Sequence, residues 1–210
     1  FKITNGGNTT NGGGIFIKSA GPKLESISIT NNSANSNGGG IYIEDASPVI
    51  VNSNIANNIS TSGGGIYISP NNTAPSIRNT KIHHNQANGD YPSGGGGIRA
   101  GGYTNYGPVN TTPALSNVEL YNNYAVTGAA IFYSNTQGTI NNVEIHHNIS
   151  PDIASIVKLQ NPSSIIINDI YLHDNSQASG LLDIESSSPI INGCIISNND
   201  VEYSLLSFHQ

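Results

Sequence analysis

The chain has 210 residues, 36% hydrophobic and only 10% charged, with a net charge of -6 and a single cysteine, Cys194. Seven Lys and Arg give no basic footprint, which argues against a nucleic-acid partner. No run approaches the roughly 18 apolar residues of a membrane span, the apolar content argues against disorder, and one cysteine excludes an internal disulfide.

Residues 1–5 read as the tail of a strand, without a starting Met or a signal peptide. The first glycine run, Gly12-Gly13-Gly14, leads directly into Ile15-Phe16-Ile17. The same device returns as Gly38-Gly39-Gly40 before Ile41-Tyr42-Ile43, Gly63-Gly64-Gly65 before Ile66-Tyr67-Ile68, and Gly94 to Gly97 before Ile98. From Thr127 onward Ala, Ser and Leu replace the glycines, but the apolar pulse continues at Ile131, Val157, Leu182 and Leu206. The markers are spaced by 26, 25, 32, 33, 26, 25 and 24 residues, a period of about 25.

A second marker runs in phase with the first. Two apolar residues five apart, followed three residues later by Asn, recur in every full unit. They are Leu24, Ile29, Asn32; Ile50, Ile55, Asn58; Ile77, Ile82, Asn85; Leu115, Leu120, Asn123; Ile140, Ile145, Asn148; Ile167, Leu172, Asn175; and Ile191, Ile196, Asn199. Stretches such as Ile27-Ser28-Ile29 alternate strictly, the pattern of a strand with one buried face. No window carries helical spacing.

Short strands repeated every 25 residues predict an all-β chain coiled as a right-handed parallel β-helix, a solenoid of about eight rungs. Equivalent positions then stack. The Asn column Asn32, Asn58, Asn85, Asn123, Asn148, Asn175 and Asn199 is expected to face inward and close buried backbone groups rung to rung. A second column, Ser26, Asn52, Asn79, Asn117, Asn142, Asp169 and Gly193, is expected to do the same. Asn also tolerates the left-handed conformation of sharp bends. The glycines serve the other corner, through positive φ or absence of a side chain. The two long intervals predict loop insertions at about residues 88–94 and 101–113 of a single segment spanning 1–210.

These units resemble the repeat proteins of bacterial surfaces that fold as right-handed parallel β-helices. The nearest likeness is the polymorphic outer-membrane-protein repeat, whose units carry Gly-Gly-Ala-Ile and Phe-x-x-Asn. Here Gly-Gly-Gly-Ile stands for the first. Ile or Leu replaces the aromatic of the second, as in Ile29-Thr-Asn-Asn32, Ile82-His-His-Asn85 and Leu120-Tyr-Asn-Asn123. The resemblance implies a secreted or cell-surface segment acting as adhesin, stalk or fibre module, without catalysis or cofactor. Polysaccharide lyases and hydrolases share the coil, so a carbohydrate-active or glycan-binding β-helix is the alternative.

Stacking also lines up outward side chains. Lys81, Glu119 and Glu144 fall on neighbouring rungs beside His83, Tyr121, His146 and His173. Glu119 and Glu144 at about 5 Å strand spacing approach the carboxyl separation of retaining glycosidases, making them the catalytic candidates. Glu144, His146 and His173 are the metal candidates; the plainer reading is a mixed polar face with a Lys–Glu pair. A third column, Phe16, Tyr42, Tyr67, Arg99, Phe132, Lys158, Asp183 and Ser207, starts aromatic and offers a cation–π contact at Arg99. With loop residues Tyr91, Tyr103 and Tyr106 it supplies the ligand-binding candidates Tyr67, Tyr91, Arg99, Tyr103, Tyr106 and Phe132, suited to sugar rings. Both ends read as open rungs, so flanking repeats of the same chain or copies stacked end to end are the expected partners.

Overall fold

The computed structural model describes residues 1–70, 72–102, 110–151, 154–161 and 164–210. Among them there is no helix; every paired strand runs parallel to its neighbours. The alternating segments form two tall faces and one short one.

The first face stacks Lys2–Thr4, Ser28–Thr30, Asn54–Ala56, Ser76–His83, Ala114–Tyr121, Gly138–His146, Ile165–His173 and Ile190–Ser197. In the lower rungs a separate short strand, Lys23–Glu25 or Val49–Val51, precedes each of these; from Ser76 upward the two are one strand with a bend inside it. The second face stacks Ile15–Lys18, Ile41–Glu44, Ile66–Ile68, Ile98–Gly101, Ile131–Ser134, Ser155–Gln160, Ser176–Glu185 and Asp200–His209. Narrow strips, including Ile59–Ser60, Gln86–Ala87 and Tyr124–Ala125, close the coil between them.

Register follows the repeat residue for residue. Ile29, Ile55, Ile82, Leu120, Ile145, Leu172 and Ile196 pair in sequence up one face, and Ile15, Ile41, Ile66, Ile98, Ile131, Val157 and Leu182 up the other. Their side chains meet in a continuous apolar core in which nearly all the middle rungs' aliphatics lose all solvent contact. Each fully buried aliphatic contributes about 1.5–3 kcal/mol, and stacking supplies the neighbours that a single rung lacks. In one inward column Tyr133 follows Ala100, a large residue over a small one.

The expected inner ladder is present. Asn58, Asn85, Asn123 and Asn148 are buried. Asn85 shows the pattern: its backbone N–H and its Nδ2 both donate to Asn123 Oδ1, at 3.1 Å each, and Nδ2 also donates to the Ile55 carbonyl at 2.9 Å. Asn32, Asn58, Asn123, Asn148 and Asn175 repeat it, ending on Asn199.

The second column corrects the expectation. Asn52, Asn79, Asn117 and Asn142 face outward and are exposed, although they still bond to one another, Nδ2 to Oδ1, at 2.8–3.2 Å. Their backbones have φ near 50°, so the strand bends there and the side chain swings out. The inner-ladder residues are not themselves left-handed; the residue before each is, namely Asn31, Asn57, His84, Asn122, His147, Asp174 and Asn198. Asn, Asp and His are the types enriched in that region.

The glycine corner works by both expected routes. Gly38 and Gly63 have φ of +67° and +65°. At Gly65 a Cβ would lie 2.6 Å from the Gly97 carbonyl oxygen on the next rung and 3.1 Å from Asn85 Nδ2. The inner Asn thus sits where a side chain would otherwise project. Higher up, Ala130, Ile156 and Leu181 take this position and are fully buried.

Candidate functional site

A groove runs up the first face. One wall is the outward left-handed column of Ser26, Asn52, Asn79, Asn117, Asn142 and Asp169. The other is the outward column of Ser28, Asn54, Lys81, Glu119, Glu144 and Tyr171; Ile27, Ser53, Val118 and Val143 form the floor. Two stretches enclose about 640 and 360 Å³, the lower reaching from Phe1 to Lys81 and the upper from Asn117 to Tyr171. The bend inside each strand creates this concavity. The inward placement expected for the Asn column would have left the Glu119–Glu144 column without this wall.

Chemistry changes along the groove. The lower stretch offers amides and hydroxyls over a partly apolar floor, and the upper adds Glu119, Glu144 and Asp169. Lys81 joins them: its Nζ lies 2.7 Å from Glu119 Oε2, as the stacked columns predict. Partial burial pushes the Glu119 carboxyl up. Hydrogen bonds from Lys81 and His146 outweigh it, so the group is held below the usual carboxylate range. Glu119 therefore stays ionised at neutral pH, the reverse of what a glycosidase general acid requires.

Beside the groove stands a ring ladder. His83, Tyr121, His146 and His173 stack nearly parallel, with centroids 4.5, 5.1 and 4.9 Å apart. Their faces cover one another and only edges reach solvent. Each imidazole bonds through Nε2 to the rung below: His83 to Asn54 Oδ1 at 2.8 Å, His146 to Glu119 Oε1 at 3.2 Å and His173 to Glu144 Oε1 at 3.0 Å. The three metal candidates Glu144, His146 and His173 are thus neighbours, but Glu144 is paired with His173 and His146 turns to Glu119. Among the described residues no group of three or more His, Cys, Asp or Glu is arranged to hold a metal ion.

The aromatic column on the second face departs from expectation. Phe16 tilts against Tyr42 at 5.2 Å, Tyr42 stacks on Tyr67 at 5.4 Å, and the Arg99 guanidinium lies 3.7 Å over the Phe132 ring. Yet Arg99 is 3% exposed and Phe132 fully buried, so neither belongs to an open sugar-stacking stripe. The insertion near residue 90 folds back over them. Gly94 packs against Phe132, and Gln160 Nε2 donates to the Tyr91 hydroxyl at 2.7 Å. Tyr67 is half-buried and Tyr91 exposed. Tyr103 and Tyr106 lie outside the described residues, as does most of the second insertion. Thr111 has already rejoined the stack, bridging to Thr73 on the rung below.

Two features escaped the sequence reading. Lys158 Nζ holds both Asp183 Oδ2 and Glu185 Oε2, at 2.6 and 2.8 Å, across adjacent rungs of the second face. Its signal was a Lys one rung below an Asp in a column scored for aromatics. The other is a set of vicinal pairs at the edge of the first face: His83 Nδ1 is 2.7 Å from His84 Nδ1, His146 Nδ1 is 2.8 Å from His147 Nδ1, and His173 Nδ1 is 2.7 Å from Asp174 Oδ2. Strand alternation would send the second member inward. Positive φ at His84, His147 and Asp174 keeps both members outside.

Parallel pairing on every face, an inner Asn ladder and a continuous core define the class: the chain is a parallel β-helix. Residues 2–102 match the family model described as the right handed beta helix region. The ladder and register then continue unbroken past residue 102 to Asn199. No curated protein matches the chain, and neither does any solved structure.

Proposed function

We propose that the chain is a non-catalytic extracellular or cell-surface β-helix module that binds extended glycans along the groove of its first face. The observation carrying this reading is the pair of concavities on this face, one from Phe1 to Lys81 and the next from Asn117 to Tyr171, lined by side-chain amides, hydroxyls and carboxylates. Rungs repeat about every 4.8 Å, so a linear polymer lying along the groove meets equivalent amides at regular steps. Polar groups in fixed positions over an apolar floor suit sugars, whose rings carry hydroxyls on an apolar body. Lys81 and His146 hold Glu119 ionised, which leaves it unsuited to act as a general acid and able to accept hydrogen bonds from sugar hydroxyls.

Affinity electrophoresis in gels containing soluble linear polysaccharides, with product analysis of the same mixtures, tests the reading. Retardation by at least one polymer without chain shortening is expected, reduced in Asn79→Leu and Asn117→Leu. Failure to bind any polymer would overturn it. Shortening abolished by Glu144→Gln in a folded variant would put a carbohydrate-active enzyme in its place.

A further inference from the structure

The vicinal histidine pairs offer a chemistry that the groove does not use. We propose that His146–His147, and its counterpart His83–His84 two rungs below, are chelating sites for a divalent copper- or nickel-type ion, each binding through its two Nδ1 atoms.

Tautomer geometry comes first. His146 Nε2 faces Glu119 Oε1, a carboxylate oxygen that can only accept, so Nε2 carries the proton and Nδ1 presents its lone pair. His83 is set the same way by Asn54 Oδ1, the acceptor end of an amide whose nitrogen is the donor. In each pair the second histidine then donates Nδ1–H to the first. When an ion binds, the second ring's single proton passes through water from Nδ1 to its own Nε2, so both Nδ1 lone pairs become ligands, both rings stay neutral and no net proton is lost. A ligating imidazole whose other nitrogen is hydrogen-bonded to a carboxylate is the arrangement that orients the ring and raises its basicity.

Distance selects the ion. Two nitrogens about 2.0 Å from a metal are about 2.8–2.9 Å apart when they subtend 90°, and about 3.3 Å apart at the tetrahedral angle. The hydrogen-bonded separations of 2.7 and 2.8 Å already hold the two nitrogens close to the right-angle spacing of tetragonal Cu(II) and Ni(II), whereas tetrahedral Zn(II) requires them to part by about 0.5 Å. The two rings of each pair stand nearly perpendicular, at 81° and 85°, so their planes do not clash around a common centre. Water fills the remaining positions, since the pairs lie at an exposed edge. Stacking of His83 on Tyr121, and of His146 between Tyr121 and His173, fixes the first ring of each pair before any ion arrives.

The test titrates the whole chain with Cu(II), supplied as its glycine complex at pH 7.5, by calorimetry and by electron paramagnetic resonance. Two equivalents with a tetragonal spectrum and nitrogen hyperfine structure are expected. His147→Asn and His84→Asn should each remove one equivalent. Asn keeps these positions foldable because Asn122 holds the same place between them with φ of 52°. Glu119→Gln should weaken the His147-dependent site about tenfold and leave the His84-dependent site unchanged. Uptake of no copper overturns the proposal. So does a folded double variant, His84→Asn with His147→Asn, that binds as the parent does, because the ion would then sit elsewhere, for example on the Phe1 amino group.

Discussion

Replacing Asn123 with Leu tests the inner ladder at its centre. The two side chains have the same branching and number of heavy atoms, with Leu the bulkier, so the change removes hydrogen bonds without opening a cavity. Asn123 Oδ1 accepts from the Asn85 backbone N–H and from Asn85 Nδ2, and Asn123 Nδ2 donates to the Ile82 carbonyl and to Asn148 Oδ1. Asn148 Oδ1 keeps the Asn123 backbone N–H at 3.0 Å, and Asn85 Nδ2 keeps the Ile55 carbonyl at 2.9 Å. The Asn85 N–H and the Ile82 carbonyl lose these partners at a site only 1% exposed. At about 1–3 kcal/mol for each buried group left unpaired, the cost is roughly 2–6 kcal/mol. Leu burial offsets part of it, by about 1–2 kcal/mol, leaving a net loss of roughly 0–5 kcal/mol centred on about 2.5. The control is Asn117→Leu, which removes the same amide from the exposed outer ladder, where water replaces the lost partners; it should cost under about 1 kcal/mol. Urea unfolding followed by circular dichroism reads both midpoints. Equal midpoints for the two variants, or an Asn123→Leu midpoint within error of the parent, would refute the claim that the inner ladder stabilises by satisfying buried backbone groups.

Three further outcomes follow from the same geometry. Gly65→Ala should destabilise by about 1–3 kcal/mol in thermal melts, because its Cβ meets the Gly97 carbonyl oxygen at 2.6 Å, whereas Ala130→Gly at the equivalent position should cost less. The Glu185 carboxyl is held below the usual range by its hydrogen bond from Lys158. Its contribution is full above the ordinary carboxylate pKa and is lost as pH falls through the lowered value, so the melting temperature of Lys158→Met should approach the parent's below about pH 4 and diverge from it above. The last described rung exposes Ile195, Tyr203, Leu206 and Phe208 beside unpaired strand edges. In a fragment of residues 1–210, copies are therefore expected to associate through it, and Leu206→Lys with Ile195→Lys should lower that fragment's sedimentation coefficient at high concentration.

Most of the scaffold could be read from spacing alone, since a solenoid converts sequence period into spatial neighbourhood. Lys81 on Glu119, His146 on His173 and Arg99 on Phe132 were each found where the stacked columns put them. What alternation could not show is where the chain leaves it. A left-handed residue inserts a half-turn into a strand, so Asn52, Asn79, Asn117 and Asn142 became an outer wall, and His84 and His147 came round beside their neighbours. Insertions hid the remainder. Nothing in the column of Tyr67, Arg99 and Phe132 says that the segment near Tyr91 lies over it.

The two amide rows carry opposite senses. In the inner row each Nδ2 donates to the rung above it, as Asn58 does to Asn85 and Asn85 to Asn123. In the outer row each Nδ2 donates to the rung below, as Asn79 does to Asn52 and Asn117 to Asn79. Aligned amides in one row polarise one another, and a single row would build an axial dipole that grows with every turn. Where the two rows run side by side, from Asn52 to Asn142, their opposed senses offset one another, so those turns add less charge separation than the inner row alone would. Each row nevertheless keeps its own direction. A neighbour related by a two-fold axis would set donors against donors at the seam, whereas one related by translation along the axis continues both rows. Between bare ends, isologous pairing is thereby disfavoured relative to a neighbour translated along the axis.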